Sequence, residues 1–228
     1  MDSDYGLMVK RFGNLVSEYT DGEVAVKMHC CGQIATEDDA FKALQLGTVD
    51  GYIITHNNVA PHWSLMNAFV LPYIFQSPGH AEKITTGEVG ETVKRKLRED
   101  TGVHLLAFGG VFYRDAYTVD TPVESMADMS GLKYRVPKNQ VMIDTIGAFG
   151  AEPVPLAWSD TPTALQTGTI DASDNGTSTI KDLKFYDFAE NLIILEHFAG
   201  FSPLFASERF MNKLSEEHQE AVEKAAEE

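Results

Sequence analysis

Residues 43–50 read Ala-Leu-Gln-Leu-Gly-Thr-Val-Asp, and residues 164–171 read Ala-Leu-Gln-Thr-Gly-Thr-Ile-Asp. The two octapeptides differ only at Leu46/Thr167 and Val49/Ile170, and the second difference exchanges one β-branched residue for another. Each has the form of a helix that stops at a C-cap glycine and turns into a strand at Val or Ile. One such pair, far apart in the chain, predicts two lobes of like topology. It also excludes a solenoid, which needs an array of repeats.

The rest of the chain alternates in the same way. Apolar spacing predicts helices over 5–19, 36–47, 80–98, 140–149, 161–166 and 215–226. Short alternating or apolar runs predict strands over 23–30, 49–55, 103–108, 112–119, 132–136, 153–156, 169–173, 191–197 and 204–207. Helices interleaved with strands mean an α/β protein with a substantially parallel sheet. With 228 residues, each lobe can bury its own core. The expected division is lobe I over 1–111, lobe II over 112–200, and a return segment to lobe I over 201–228. Two such lobes place a ligand cleft between them, at the carboxyl ends of strands. The residues following each octapeptide are therefore candidates: Tyr52, Thr55, His56 and Asn57 in the first, and Ser173, Asp174 and Asn175 in the second.

Charge narrows the ligand. The 34 acidic and 18 basic side chains leave a net charge of −16, which disfavours nucleic acid as a partner. An anionic ligand is repelled by that field, so any anion site needs its own local cation. Gly131-Leu132-Lys133-Tyr134-Arg135-Val136-Pro137 supplies one. Alternation puts Lys133 and Arg135 on one face of a short strand, and Pro137 ends it with Arg135 at its carboxyl end. A guanidinium fork holds a carboxylate bidentately and stays charged when partly buried. Read alone, the same residue is equally a solvated surface arginine. Arg114, in Phe112-Tyr113-Arg114-Asp115, lies among apolar residues and is either paired with Asp115 or aimed at a ligand.

Other chemistries find little footing. Cys30 and Cys31 are adjacent, too close for an unstrained disulfide, and paired zinc cysteines are spaced by two or more residues. They are expected to be packed or partly exposed thiols at a strand end, with no metal and no cofactor. His56 and His62 flank Pro61 without any recognised ligand spacing, and neither a phosphate loop nor a GxGxxG is present. A thiol or metal enzyme is the weakest reading; a sensor domain for organic acids on the same fold is the closer alternative. No run approaches the length of a membrane-spanning helix, and the start Met1-Asp2-Ser3-Asp4 has no basic region or apolar core of a leader peptide.

The sequence resembles the DctP-type solute receptors of tripartite ATP-independent periplasmic (TRAP) transporters over essentially its whole length. Cys31-Gly32-Gln33-Ile34 is similar to the family's Gly-Gln-Leu-Gly turn, and Val70-Leu71-Pro72-Tyr73-Ile74-Phe75 to its Leu-Pro-Phe element. The stretch from Pro122 to Pro137, with Asp128, Gly131-Leu132-Lys133 and Arg135-Val136-Pro137, matches its most distinctive segment. Gly147-Ala148 through Pro155, then Ala164-Leu165-Gln166-Thr167-Gly168 and Asp171, matches the one that follows. The resemblance implies a two-lobed type II periplasmic-binding-protein fold that closes on a small organic carboxylate and delivers it to membrane permease subunits.

Carried over residue by residue, it implies that Arg135 pairs with the carboxylate and Arg114 assists. Asn175 faces the ligand, Trp158 lines the pocket, and Thr55, His56 and Asn57 contribute from the first lobe, with Tyr52 nearby. It further implies a periplasmic monomer whose signal peptide has been removed. Asp174-Asn175 stands where metal-assisted members carry Glu-Trp, so no bound cation is expected. Thr161-Pro162 replaces the usual Val-Tyr, and the chain begins after the family's first strand and ends before its long C-terminal region.

Overall fold

Both octapeptides form the same turn. Gly47 and Gly168 adopt left-handed backbone, with φ of 64° and 69°. Thr48 N donates to Ala43 O at 3.0 Å, and Thr169 N donates to Ala164 O at 2.9 Å. These are the long-range bonds of a Schellman-type helix end, which satisfy carbonyls the helix leaves orphaned.

The computed structural model describes residues 4–30 and 32–228. In chain order the helices are α1 (Asp4–Tyr19), α2 (Glu37–Leu46), α3 (His56–Val59), α4 (Pro78–Thr85), α5 (Glu88–Thr101), α6 (Gln140–Ala148), α7 (Thr161–Gln166), α8 (Thr177–Asp182), α9 (Glu208–Met211) and α10 (Glu216–Glu227). The strands are β1 (Gly51–Ile53), β2 (Val103–Ala107), β3 (Val111–Thr118), β4 (Lys133–Val136), β5 (Glu152–Pro155), β6 (Ala172–Gly176), β7 (Asn191–Phe201) and β8 (Leu204–Ser207). The chain divides into two compact units. Unit 1 draws on Met1–Thr55, Glu82–Gly110 and Phe201–Glu228, and unit 2 on His56–Ala81 and Val111–Gly200. Residues 56–81 thus group with unit 2, whereas the sequence reading placed them within 1–111.

Unit 1 holds a three-stranded sheet in the order β1-β8-β2, with β8 antiparallel to both neighbours. Helices α1 and α10 cover it through Val16, Leu106, Ala206, Met211, Val222 and Ala225. The expected strand over 23–30 does not form a ladder. Val24 packs onto that helical cluster while Val26 stays exposed, so the alternating residues do not share one buried face. The expected helix over 80–98 is two helices, because the chain breaks at Gly87, which caps α5. A Cβ on Gly90 would lie 1.8 Å from Thr85 O, so only glycine lets α5 start across the end of α4.

Unit 2 holds a five-stranded sheet in the order β5-β4-β6-β3-β7. β4 is parallel to β5 and β6, and β3 is antiparallel to β6. The parallel character expected from the sequence therefore belongs to β5-β4-β6; the sheet of unit 1 is antiparallel. From β4 the chain passes through α6 to β5 on one side, then through α7 to β6 on the other. Right-handed crossovers running in opposite directions put α6 and α7 on opposite faces of the sheet. The carboxyl end of β4 is thus a topological switch point, the place where open α/β sheets leave a crevice for ligands.

Candidate functional site

Register decides which side chains share a face. Arg114 pairs with Gly176, Ala116 with Asp174, Tyr117 with Ser173, and Tyr134 with Ala172. Paired residues point to the same side and successive ones to opposite sides. Arg114, Asp174 and Tyr134 therefore lie on one face. Arg135, Ser173, Tyr117 and Asn175 lie on the other.

Arg135 occupies the last but one position of β4, at the switch point, and is only 3% exposed. Its Nε donates to Leu156 O, in the loop after β5, at 2.9 Å. Its guanidinium carbon sits 5.4 Å from the ring centroid of Trp158, a cation–π arrangement. Trp158 begins a 3-10 turn, Trp158–Asp160, that leads into α7. Asn175, two residues beyond Ser173 on the Arg135 face, accepts a bond from Gly176 N through its own Oδ1 at 2.7 Å. Arg135, Trp158 and Asn175 are thus brought to one side of the sheet.

Arg114 is placed differently. It is not paired with Asp115, because consecutive strand residues point to opposite faces. Asp115 instead accepts from Leu195 N at 3.0 Å and Glu196 N at 3.1 Å through Oδ1. It holds the point where β7 bends through Glu196, whose φ is 47°. Arg114 donates from Nε to Asp174 Oδ2 at 2.7 Å, and from Nη2 to Asp174 Oδ1 at 3.0 Å and Asp174 O at 2.8 Å. His197 Nε2 approaches the same Oδ2 at 3.3 Å. Asp174 is fully buried. Burial pushes its pKa up, but the charge and hydrogen bonds of Arg114, with His197, outweigh that and hold it well below the usual carboxylate range. Burial likewise pulls Arg114 down, and Asp174 more than restores it. On the other face, burial pushes the Tyr117 phenol up to about 12.

The remaining expected residues divide between the units. In unit 2, His56 is buried at the start of α3, and Asn57 donates from Nδ2 to Asn58 Oδ1 at 2.8 Å. In unit 1, Tyr52 Oη donates to Ala35 O at 2.9 Å, and Thr55 gives both its N and its Oγ1 to Glu37 Oε1, at 2.6 and 2.5 Å. Cys31 lies outside the described residues, and Cys30 is half-buried without a strand. Among the described residues no group of three or more His, Cys, Asp or Glu is placed to hold a metal ion.

His197 and Asn139 are not among the sequence candidates, and Asp174 is a candidate there without its role. Asp174 and His197 surround Arg114, and strand parity alone would have removed Asp115 as its partner. Asn139 is 1% exposed. Its Oδ1 caps α6 by accepting from Met142 N at 3.1 Å, while Nδ2 donates to Asn57 O at 3.0 Å and Asn67 Oδ1 at 3.2 Å. An Asn directly before a helix is a readable N-cap signal. With Lys138, Gln140, Asn67 and Pro155 it lines a cavity of about 290 Å³ beside the switch point.

Two α/β units, one of them with a sheet that has a switch point, are the architecture of the periplasmic-binding-protein class. The chain belongs to the DctP family, bacterial extracellular solute-binding protein family 7, whose model matches residues 2–228. It is 34% identical over 221 residues to a solute-binding protein of Roseobacter denitrificans, covering 96% of this chain and 67% of that one. It is 30% identical over 224 residues to the 2,3-diketo-L-gulonate-binding periplasmic protein of Escherichia coli, covering 97% of this chain and 67% of that one. The crystal structure of a TRAP periplasmic solute-binding protein from Bradyrhizobium sp. BTAi1, in complex with D-galacturonate, superposes with a TM-score of 0.92 at 30% identity. That match covers 99% of this chain and 75% of that one. The family is one of binding receptors, not enzymes.

Proposed function

We propose that this chain is the extracytoplasmic receptor of a TRAP-type secondary transporter, and that it binds a small organic acid through Arg135. The observation that carries the reading is the placement of Arg135, buried at the switch point and braced by Leu156 O and Trp158. A buried guanidinium stays charged and holds a carboxylate bidentately, an anion that the net charge of −16 would otherwise repel.

In this reading Asn175 hydrogen-bonds the ligand on the same face, Trp158 walls the site, and Arg114 supports the sheet edge from the opposite face through Asp174. His56 and Asn57, in the same unit, add further contacts. The Escherichia coli relative's name and the D-galacturonate of the Bradyrhizobium structure favour a hydroxylated sugar acid within the carboxylate class. The receptor works in the periplasm as a monomer, and its protein partners are the membrane permease subunits.

A thermal-shift panel of D-galacturonate, D-glucuronate, D-galactonate, D-erythronate and succinate tests this. A ligand at about 100 times its Kd stabilises the folded state by roughly 2.7 kcal/mol, a clear rise in melting temperature. At least one acid is expected to produce it. Silence across the panel and across further keto and aromatic acids sinks the receptor reading.

A further inference from the structure

The bracing of Arg135 extends one layer below Trp158. Phe185 opens the 3-10 turn Phe185–Asp187, which follows Lys184 in left-handed backbone with φ of 54°. That turn drives the ring into the core, where it is 1% exposed. One face of Phe185 stacks on Tyr117, with centroids 5.2 Å apart and planes at 16°. Trp158 meets Phe185 edge to face, at 5.4 Å and 83°. Tyr117, Phe185, Trp158 and Arg135 thus form one continuous chain of contacts on a single face of the sheet. The chain of contacts begins in β3, passes through the turn after α8 and the turn before α7, and ends on the guanidinium at the carboxyl end of β4.

We propose that Phe185 is a positioning residue for the carboxylate clamp: it fixes the plane of Trp158 and, through it, the plane of the Arg135 guanidinium. The inference rests on the reading that Arg135 holds the ligand carboxylate. Trp158 is partly exposed and sits in a turn of three residues, so its own backbone does little to hold the ring. Edge-to-face contact with Phe185 selects one ring orientation. A guanidinium is attracted to the face of the indole, not to its edge, so the orientation of Trp158 acts with the Nε–Leu156 O bond to orient Arg135. Bidentate recognition tolerates errors of only about 10–20° in that plane, which is why a residue beneath the site can govern affinity.

The test uses Phe185→Leu and Phe185→Met, two variants that keep an apolar side chain of similar bulk, so that at least one folds. Affinity for the strongest-binding acid of the thermal-shift panel is measured by titration calorimetry well below each melting temperature. Each variant is expected to bind about tenfold more weakly than the parent, the scale of one misaligned cation–π and bidentate contact. In a Trp158→Leu background the same Phe185 changes are expected to alter affinity less than about twofold, since residues acting through one another are non-additive.

Unchanged affinity with a lowered melting temperature, or an equal loss in both backgrounds, makes Phe185 a core residue only and overturns the inference. Arg135→Ala separates the two readings. If that variant still binds the acid, the clamp itself is wrongly placed. If it loses binding while the Phe185 variants do not, the clamp stands and the positioning role falls. If no acid binds the parent, both fall together.

Discussion

Arg114 and Arg135 stand on opposite faces of one five-stranded sheet, at the end where β4 and β6 terminate. Arg114 pairs across the ladder with Gly176, the last residue of β6, and Arg135 is the last residue but one of β4. Parity along the strands makes this unavoidable once the register is set. The sequence presents the two arginines as a pair of like residues on adjacent segments. The fold gives one a carboxylate inside the protein, Asp174, and places the other beside a tryptophan at the switch point.

Arg135→Ala is expected to cost about 2–5 kcal/mol of acid binding, because it leaves a desolvated anion without its partner. Arg135→Lys is expected to recover little of it, since an ammonium supplies neither the fork nor the flat face that lies against Trp158. Titration calorimetry with the best acid of the panel reads both. Full affinity in the lysine variant would show that a point charge is sufficient.

The Arg114–Asp174 pair is expected to behave as a buried ion pair in a double-mutant cycle. Arg114→Met or Asp174→Leu alone strands a charge and is expected to destabilise by about 3–5 kcal/mol, whereas the double variant is expected to lose much less than the sum. Urea unfolding measures all three. Additive losses would mean that the two groups are not coupled.

Acid stability follows from the same carboxylate. Asp174 has a depressed pKa in the folded protein, so its contribution is present above the ordinary aspartate value, about 3.9 in an unfolded chain. It fades as pH falls below that value toward the lower native one. The melting temperature is expected to drop steeply below about pH 4, and Asp174→Asn is expected to flatten that part of the curve while lowering stability at neutral pH. A variant with the parental acid slope assigns the drop to other groups.

The two matching glycines are expected to differ in tolerance. Both need left-handed backbone, which costs an L-residue roughly 1–2 kcal/mol. At Gly47 a Cβ would also lie 2.7 Å from Arg209 Cβ and Cδ, whereas at Gly168 nothing stands within 4 Å. Gly47→Ala should therefore lower the melting temperature more than Gly168→Ala. Equal shifts would mean that Arg209 moves aside at no cost.

Asn139→Ala removes an N-cap and two further buried hydrogen bonds in one step. Loss of the cap alone costs about 0.5–2 kcal/mol. The full loss is expected to exceed that range, because Asn57 O and Asn67 Oδ1 also lose their donor. Chemical denaturation checks it; a loss below 1 kcal/mol would mean that water replaces the side chain.

Helix existence was legible wherever periodicity and caps agreed, as in α1, α2, α6, α7 and α10. It failed at 80–98, where a helical pattern runs through Gly87 and only the close approach of α5 to Thr85 shows why the chain breaks. Strand alternation over 23–30 was present in residue types but not in burial, since Val26 is exposed, and a ladder needs a neighbouring chain, which a linear pattern cannot supply. The candidate site was legible as residue types. Its internal wiring was not, because Asp174 and His197 are distant from Arg114 in the chain and meet it only through strand pairing.

By itself the sequence determined that there are two like turns, each ending a helix at a glycine, that the chain is α/β, and that any bound anion needs a local cation. These are properties of short segments and of composition, and short-range sterics and charge settle them. Tertiary structure decided which face each arginine occupies, that Arg114 meets Asp174, and that Arg135 lies against Trp158. Those outcomes depend on register and strand order, where a shift of one residue would exchange the faces and the roles of Arg114 and Arg135 with them.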